Sequence, residues 1–263
     1  MTEIKSGIAD NPVFDVQTEQ LDQSNELHFL NIDRIEGKLK KYIDTVICGI
    51  CQGNVENDLR LIKLRLVKFF STKSDSSTEI GAIAEFICHA YLGYCGFKQE
   101  FLYLNLEEGS IKKGFDGHYT KDADLWLFES KSGYSHSKKI SHAGKIKEAY
   151  DDLVAKISGT TTNDPWLNAY NHSSHLAVGA DALITRQLKK LSDDYLLERY
   201  QSISNFRIIP SSTIFFEKNW VRGDTESIRT EIAKFLHSFE CKSAKVICIN
   251  KGAKSEFLKY IST

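Results

Sequence analysis

The chain has 263 residues, 41% of them hydrophobic and 26% charged, and its 34 basic residues against 35 acidic ones leave a net charge of −1. That is enough chain to bury a sizeable core, as one large domain or two small ones, and the charge balance excludes an overall basic nucleic-acid coat while leaving room for a local basic groove. No run of about 18 apolar residues exists, so no membrane span is expected, and the first fifteen residues lack the apolar core of a signal peptide, which makes the cytoplasm the expected location.

Residues 1 to about 30 are polar and read as a loose arm or a short edge strand. Apolar residues at Ile35, Leu39, Ile43, Val46, Ile47 and Ile50 recur in steps of three and four, which predicts an amphipathic helix over 32–52. Residues 59–70 (LRLIKLRLVKFF) alternate at first like a strand, but their length and the Asn57/Asp58 cap signal favour a helix. A helix follows over 78–94, closed by Gly93 and Gly96. Inside it Glu85 stands near the apolar side, and Gly81 and His89, one turn away on either side, offer no obvious salt bridge; Glu79 competes with it as the helix carboxylate of a site. A strand is expected over 97–106 and a turn over 107–110.

The stretch GFDGHYTKDADLWLFESKSG, Gly114 to Gly133, carries the most chemistry. It reads as two strands around the turn-forming run 120–124. Side chains alternate along a strand, so Leu125, Leu127, Glu129 and Lys131 share one face and Trp126, Phe128 and Ser130 the other. A charged pair thus ends a strand fit for burial on both sides, and buried charge is costly unless paired or metal-bound. An antiparallel turn brings Asp116 beside Glu129. Downstream, a helix is expected over 141–157, a loop over 158–163, and a helix over 176–191 that 194–202 extends. A strand follows over 206–217, with Pro210 suggesting a bend or an edge. The chain closes with a helix over 225–239, a strand over 244–249 and a helix over 255–261. Interleaved helices and strands make the class α/β with a mixed sheet, read as one catalytic domain over 77–263 and an N-terminal helical portion, 1–76, packed on it.

Two carboxylates and an amine at one strand end can hold a hard divalent cation beside a phosphate. Asp116 and Glu129 supply oxygen ligands, the carbonyl of Ser130 is placed for a third, and Glu85 can bind directly or through water. Mg²⁺ is the expected ion, with Mn²⁺ as a substitute, because no His/Cys set selects zinc. Lys131 can orient or deprotonate water, or stabilise the transition state. Lys112, Lys113, Lys121, Lys138, Lys139, Lys145 and Lys147 give a local basic surface; Lys113, Lys121, Lys138 and Lys139 are the candidate phosphate contacts. Cys48 and Cys51 form a C-x-x-C, but their flanks are apolar and no second pair follows, so they read as a buried helix face rather than a zinc or thiol site.

A helix glutamate, then a hairpin bearing D-x(n)-E-x-K, then a helix, resembles the PD-(D/E)xK nucleases, with Glu85, Asp116, Glu129 and Lys131 at the matching positions and Phe115 where that motif has proline. More narrowly, GFDGHY with LWLFESKSG, FRIIPSSTIFFE and VICINKGAKSEFLKYI looks like the nuclease subunit of Hachiman-type (HamA-like) anti-phage systems and their Abp-type (AbpA-like) relatives, over residues 77 to 263. The resemblance implies a restriction-endonuclease-like core, a metal-dependent DNA nuclease acting in phage defence, and a separately encoded superfamily 2 helicase as partner. A nuclease-fold module that binds nucleic acid and regulates the helicase without cutting is the competing reading.

Overall fold

Four segments with apolar residues on both faces form the centre of a seven-stranded sheet. The computed structural model describes residues 12–53, 56, 58–74, 76–104 and 114–263. Its strands are β1 (Asp15–Gln20), β2 (Asn25–Ile32), β3 (Lys98–Gln99), β4 (Gly117–Lys121), β5 (Asp124–Tyr134), β6 (Arg207–Phe215) and β7 (Ser243–Lys251). They lie in the order β1-β2-β7-β6-β5-β4-β3. The central β2, β7, β6 and β5 run parallel, and β1, β4 and β3 join antiparallel, so the sheet is mixed, as the alternation of elements predicts. Parallel strands need both faces covered, and two layers of helices provide this.

One layer holds α1 (Gly37–Gln52), α2 (Leu59–Ser71), α3 (Ser77–Tyr94) and α8 (Lys254–Ile261). Its core joins Ile47, Leu66, Phe86 and Phe257 to Tyr119, Phe128 and Ile209 of the sheet. The other layer holds α4 (His142–Ile157), α5 (Pro165–Ser173), α6 (Ala182–Leu196) and α7 (Thr225–Leu236). There Ile146, Leu153, Trp166, Leu188 and Ile232 pack on Leu125, Leu127, Ile208 and Val246. Side-chain caps start most of these helices: Ser76 Oγ accepts from Glu79 N, Ser141 Oγ from Gly144 N, and Asp164 from Trp166 N and Leu167 N.

Several expectations change. Of the stretch expected as a loose arm or short edge strand, residues 1–11 lie outside the described residues and residues 15–32 form a β-hairpin. Its β1 is the sheet edge, but β2 is interior, with Leu27, Phe29 and Leu30 at most 1% exposed. Ile32 therefore ends a strand, and α1 starts only at Gly37. The strand expected over 97–106 is two residues long; beyond it Phe101 and Tyr103 are buried in irregular chain. The turn expected over 107–110 lies outside the described residues. A helix, α5, opens at Pro165, where proline's absent N–H costs nothing, and α6 starts at Ala182 behind the Asp181 cap.

Pro210 is neither at an edge nor at a sheet end: β6 lies between β5 and β7. The register holds on both sides of it, Ile208 opposite Ala244 and Ser211 opposite Ile247, but the pairing skips 209 and 210. A proline cannot donate to the ladder, so the sheet tolerates it by omitting two pairs. The β4–β5 connection is a two-residue turn, with Asp122 and Ala123 both at positive φ (52° and 65°), the geometry that matches the twist of a tight hairpin.

If β2 is a core strand, truncating Phe29 must be costly. Phe29→Ala is expected to lower unfolding free energy by about 3–5 kcal/mol, measured by urea denaturation.

Candidate active site

The β4–β5 register, Gly117 opposite Phe128, continued one step outward, sets Asp116 beside Glu129. Asp116 Oδ2 accepts a hydrogen bond from Ser130 N at 2.8 Å, which ties the start of the hairpin to the middle of β5. Glu129 is 1% exposed. Lys131 Nζ donates to its Oε1 at 3.0 Å. On the far side of the carboxylate, Lys156 of α4 donates to Oε2 at 2.5 Å. Lys131 is also ion-paired with Asp152, one turn before Lys156 on α4. The site is thus a chain of alternating charges, Lys156–Glu129–Lys131–Asp152, with Asp116 alongside.

Its electrostatics follow from burial. Removal from water, and then the nearby charge of Asp116, push the Glu129 carboxyl up to about 7, against the pull of Lys156 and Lys131. For Lys131 burial disfavours the charge, but Glu129, Asp152 and Asp116 more than offset it and lift the amine above the usual lysine range. Lys131 is therefore a firmly protonated cation, suited to stabilising negative charge rather than accepting a proton.

Glu85 reaches the sheet from α3, in the opposite layer to α4. Its charge and that of Asp116 both act on the buried Cys88 thiol and the buried Tyr119 hydroxyl, raising each on top of desolvation. Asp116 is the common member, acting on Glu129 and Lys131 as well. The rival Glu79 is buried near the start of α3 and paired with Lys254 of α8 at 2.5 Å. Among the described residues no group of three or more His, Cys, Asp or Glu side chains is gathered to hold a metal. The donor set is then two hard carboxylates and backbone oxygen. That suits Mg²⁺, which is commonly held by one or two carboxylates, with waters and substrate phosphates completing its shell.

One residue past Lys131 a cavity of about 420 Å³ opens. Ser132 and Gly133 form one wall, the N-terminal residues Ser76 and Ser141 of the segments leading into α3 and α4 form others, and Lys138 and Lys139 stand in the loop between β5 and α4. Helix N-termini and lysines both favour anions. Lys139 holds a positive φ of 61°, an unfavourable conformation for a side-chain-bearing residue. Lys121 is not part of this group. It pairs with Asp124 at the hairpin turn, donates to Cys95 O at 3.0 Å and lies over the Phe97 ring. Five residues of strand separate Asp124 from Glu129, roughly 17 Å. Lys113 lies outside the described residues.

Lys156 and Asp152 escape a reading of the sequence alone. The signal for them is their spacing: both fall beside Ala149 and Leu153 on the apolar side of α4 and so toward the sheet. His142 is the first residue of α4. It is buried, with Nδ1 to Ser212 Oγ and Nε2 to Asn250 Oδ1, both at 2.9 Å. Asn250 in turn donates to Val221 O, so this network fastens the β6–α7 loop to the end of the sheet. The six cysteines are free thiols, with Cys51 and Cys88 buried. Among the described residues no helix is long and apolar enough to cross a membrane.

Burial lowers His142 to about 4, which the Asn250 hydrogen bond only partly opposes. A depressed histidine contributes stability that is complete above its unfolded value near 6.5 and is lost as pH falls through 4. His142→Gln is expected to remove on the order of 2–3 kcal/mol of the stability difference between pH 7 and pH 4.5 seen in the parent, as read from urea midpoints of both proteins at both pH values.

Compared with known proteins, the sequence matches the HamA family model over residues 11–263. No curated protein matches it.

Proposed function

The chain belongs to the HamA family, associated with anti-phage defence, and on that premise we propose that it is a Mg²⁺-dependent deoxyribonuclease that hydrolyses phosphodiester bonds and works with a superfamily 2 helicase. The observation that carries this reading is the buried Glu129 carboxylate between Asp116 and Lys131, with a cavity lined by lysines and helix N-termini beginning one residue past Lys131, at Ser132. Asp116 and Glu129 would hold Mg²⁺, with Mn²⁺ able to replace it. The ion supplies a Lewis acid that eases loss of a proton from water and neutralises charge building on the phosphate.

The protein's own groups divide the remaining work. Lys131, kept protonated by Glu129 and Asp152, donates to the phosphate oxygens as water attacks phosphorus and the P–O bond to the leaving nucleoside breaks. The Asp116–Ser130 hydrogen bond fixes the carboxylate pair to the strand that bears Lys131. Lys138 and Lys139 contact flanking phosphates, which gives affinity without base recognition. Glu85, on α3 in the layer opposite α4, would act on the ion through water. The helicase partner rests on family membership alone.

The reading in which the chain binds nucleic acid without cutting draws support from one feature: both oxygens of Glu129 are taken by lysines. A catalytic pair of variants separates the two. Glu129→Ala and Lys131→Ala should each reduce Mg²⁺-dependent cleavage of DNA by at least about 100-fold while the far-ultraviolet circular dichroism stays native, with the activating partner present. Full cleavage by either variant rejects the assignment. Lys138→Glu with Lys139→Glu is expected to weaken DNA binding similarly for unrelated sequences and to flatten its salt dependence, by about one unit of log–log slope for each phosphate no longer neutralised.

A further inference from the structure

The Glu129 carboxylate is 1% exposed and carries a separate ammonium group on each oxygen, so a cation approaching either oxygen meets a resident amine. The two lysines are not equivalent. Lys131 is shared with Asp152 and sits on the same strand as Glu129. Lys156 comes from another element, α4, and Glu129 is its ionic partner at 2.5 Å. Its four-carbon stem can swing the amine out to water once another cation takes over its charge on Glu129, whereas Glu129 is carried by a strand paired with β6. We propose that Lys156 occupies the cation position on Glu129 Oε2 and is a built-in competitor that a divalent metal must displace.

This inference rests on the metal-nuclease reading and adds a regulatory residue to it. Charge supports the exchange. Asp116, Glu129 and Asp152 against Lys131 and Lys156 leave one net negative charge. Replacing Lys156 by a dication brings the group to neutrality, where addition without displacement would leave it positive. A pair of carboxylates, with no larger ligand cluster gathered among the described residues, also makes a weak metal site, in which a resident amine can compete. Glu129 of the free protein is then closed by Lys156 until a divalent cation displaces it, and metal affinity is set in part from α4.

The test uses the full-length chain without nucleic acid, with Mn²⁺ binding followed by the electron paramagnetic resonance signal of the free ion. Lys156→Met should bind Mn²⁺ at least tenfold more tightly than the parent, Lys156→Arg should match the parent, and Glu129→Gln should lose this site. A second measurement needs no variant: saturating Mg²⁺ should raise acylation of Lys156 by an amine reagent several-fold, read by mass spectrometry, with the exposed Lys147 unchanged. If the parent binds Mn²⁺ through Glu129 but Lys156→Met binds no more tightly and Mg²⁺ leaves Lys156 labelling unaltered, the competitor role is wrong and the nuclease reading stands. If the parent and Glu129→Gln bind Mn²⁺ alike, both fall. Should Lys156→Met fail to fold, the labelling decides.

Discussion

A single buried carboxylate sets the terms for the surrounding structure. Glu129 lies in a strand covered on both faces, where an ionised side chain loses several kcal/mol of hydration. Opposite charge must be brought to it, and it comes from two directions: Lys131 two residues along the same strand and Lys156 from the helix packed above. Asp152 then holds Lys131 from the same helix. Burial, and then the second negative charge that Asp116 adds at the hairpin mouth, keep the Glu129 carboxyl raised even with both amines present. The cluster is in balance only while each member stays in place, which is why its elements are so firmly joined: β5 paired to β4 and β6, and α4 packed by Ile146, Ala149 and Leu153.

The sheet around this cluster is built to leave space at one end. Beyond Glu129, β5 turns from large apolar residues to Ser130, Ser132 and Gly133, and the neighbouring β6 carries Ser211, Ser212 and Thr213. Cys88 of α3 meets Ser211 at 3.0 Å on one face and His142 of α4 meets Ser212 on the other. Small polar residues at the C-terminal ends of parallel strands let the helix N-termini of α3 and α4 approach the same opening. In open α/β sheets, crevices outside the carboxyl ends of strands are where ligands bind. Pro210, opposite Glu129 on β6, leaves the β5–β6 ladder unbroken and interrupts the pairing only on its other side, toward β7.

A chain with nearly balanced charge can still present a cationic opening. The lysines at 138 and 139 sit in a loop whose nearest helix starts carry positive dipole ends, while acids elsewhere cancel the total. Net charge therefore says little about partners here, and the distribution along the 131–145 segment says much more. The HamA match covers residues 11–263, which takes in the β1–β2 hairpin as well as the charged site, and the hairpin's β2 is interior to the sheet.

The hairpin with its alternating faces, Glu129 and Lys131 on one side and Phe128 and Ser130 on the other, was legible from the sequence because a period of two leaves no freedom about which side chains share a face. So were α1 to α4, where apolar spacing marks the helices and, for α2, the cap at Asp58 agrees. The sequence was silent or misleading where an element's character depends on what lies beside it. β2 is a core strand only because β7 and β1 pair with it; Pro210 is interior only because the β6–β7 pairing can skip two residues. Asp152 and Lys156 are twenty-odd residues from the strand they serve, and an i, i+4 acid–lysine pair on a helix is by itself an ordinary surface feature. Only the packing of α4 on β5 turns that pair inward, and only there does the cost of burying Glu129 give it a role.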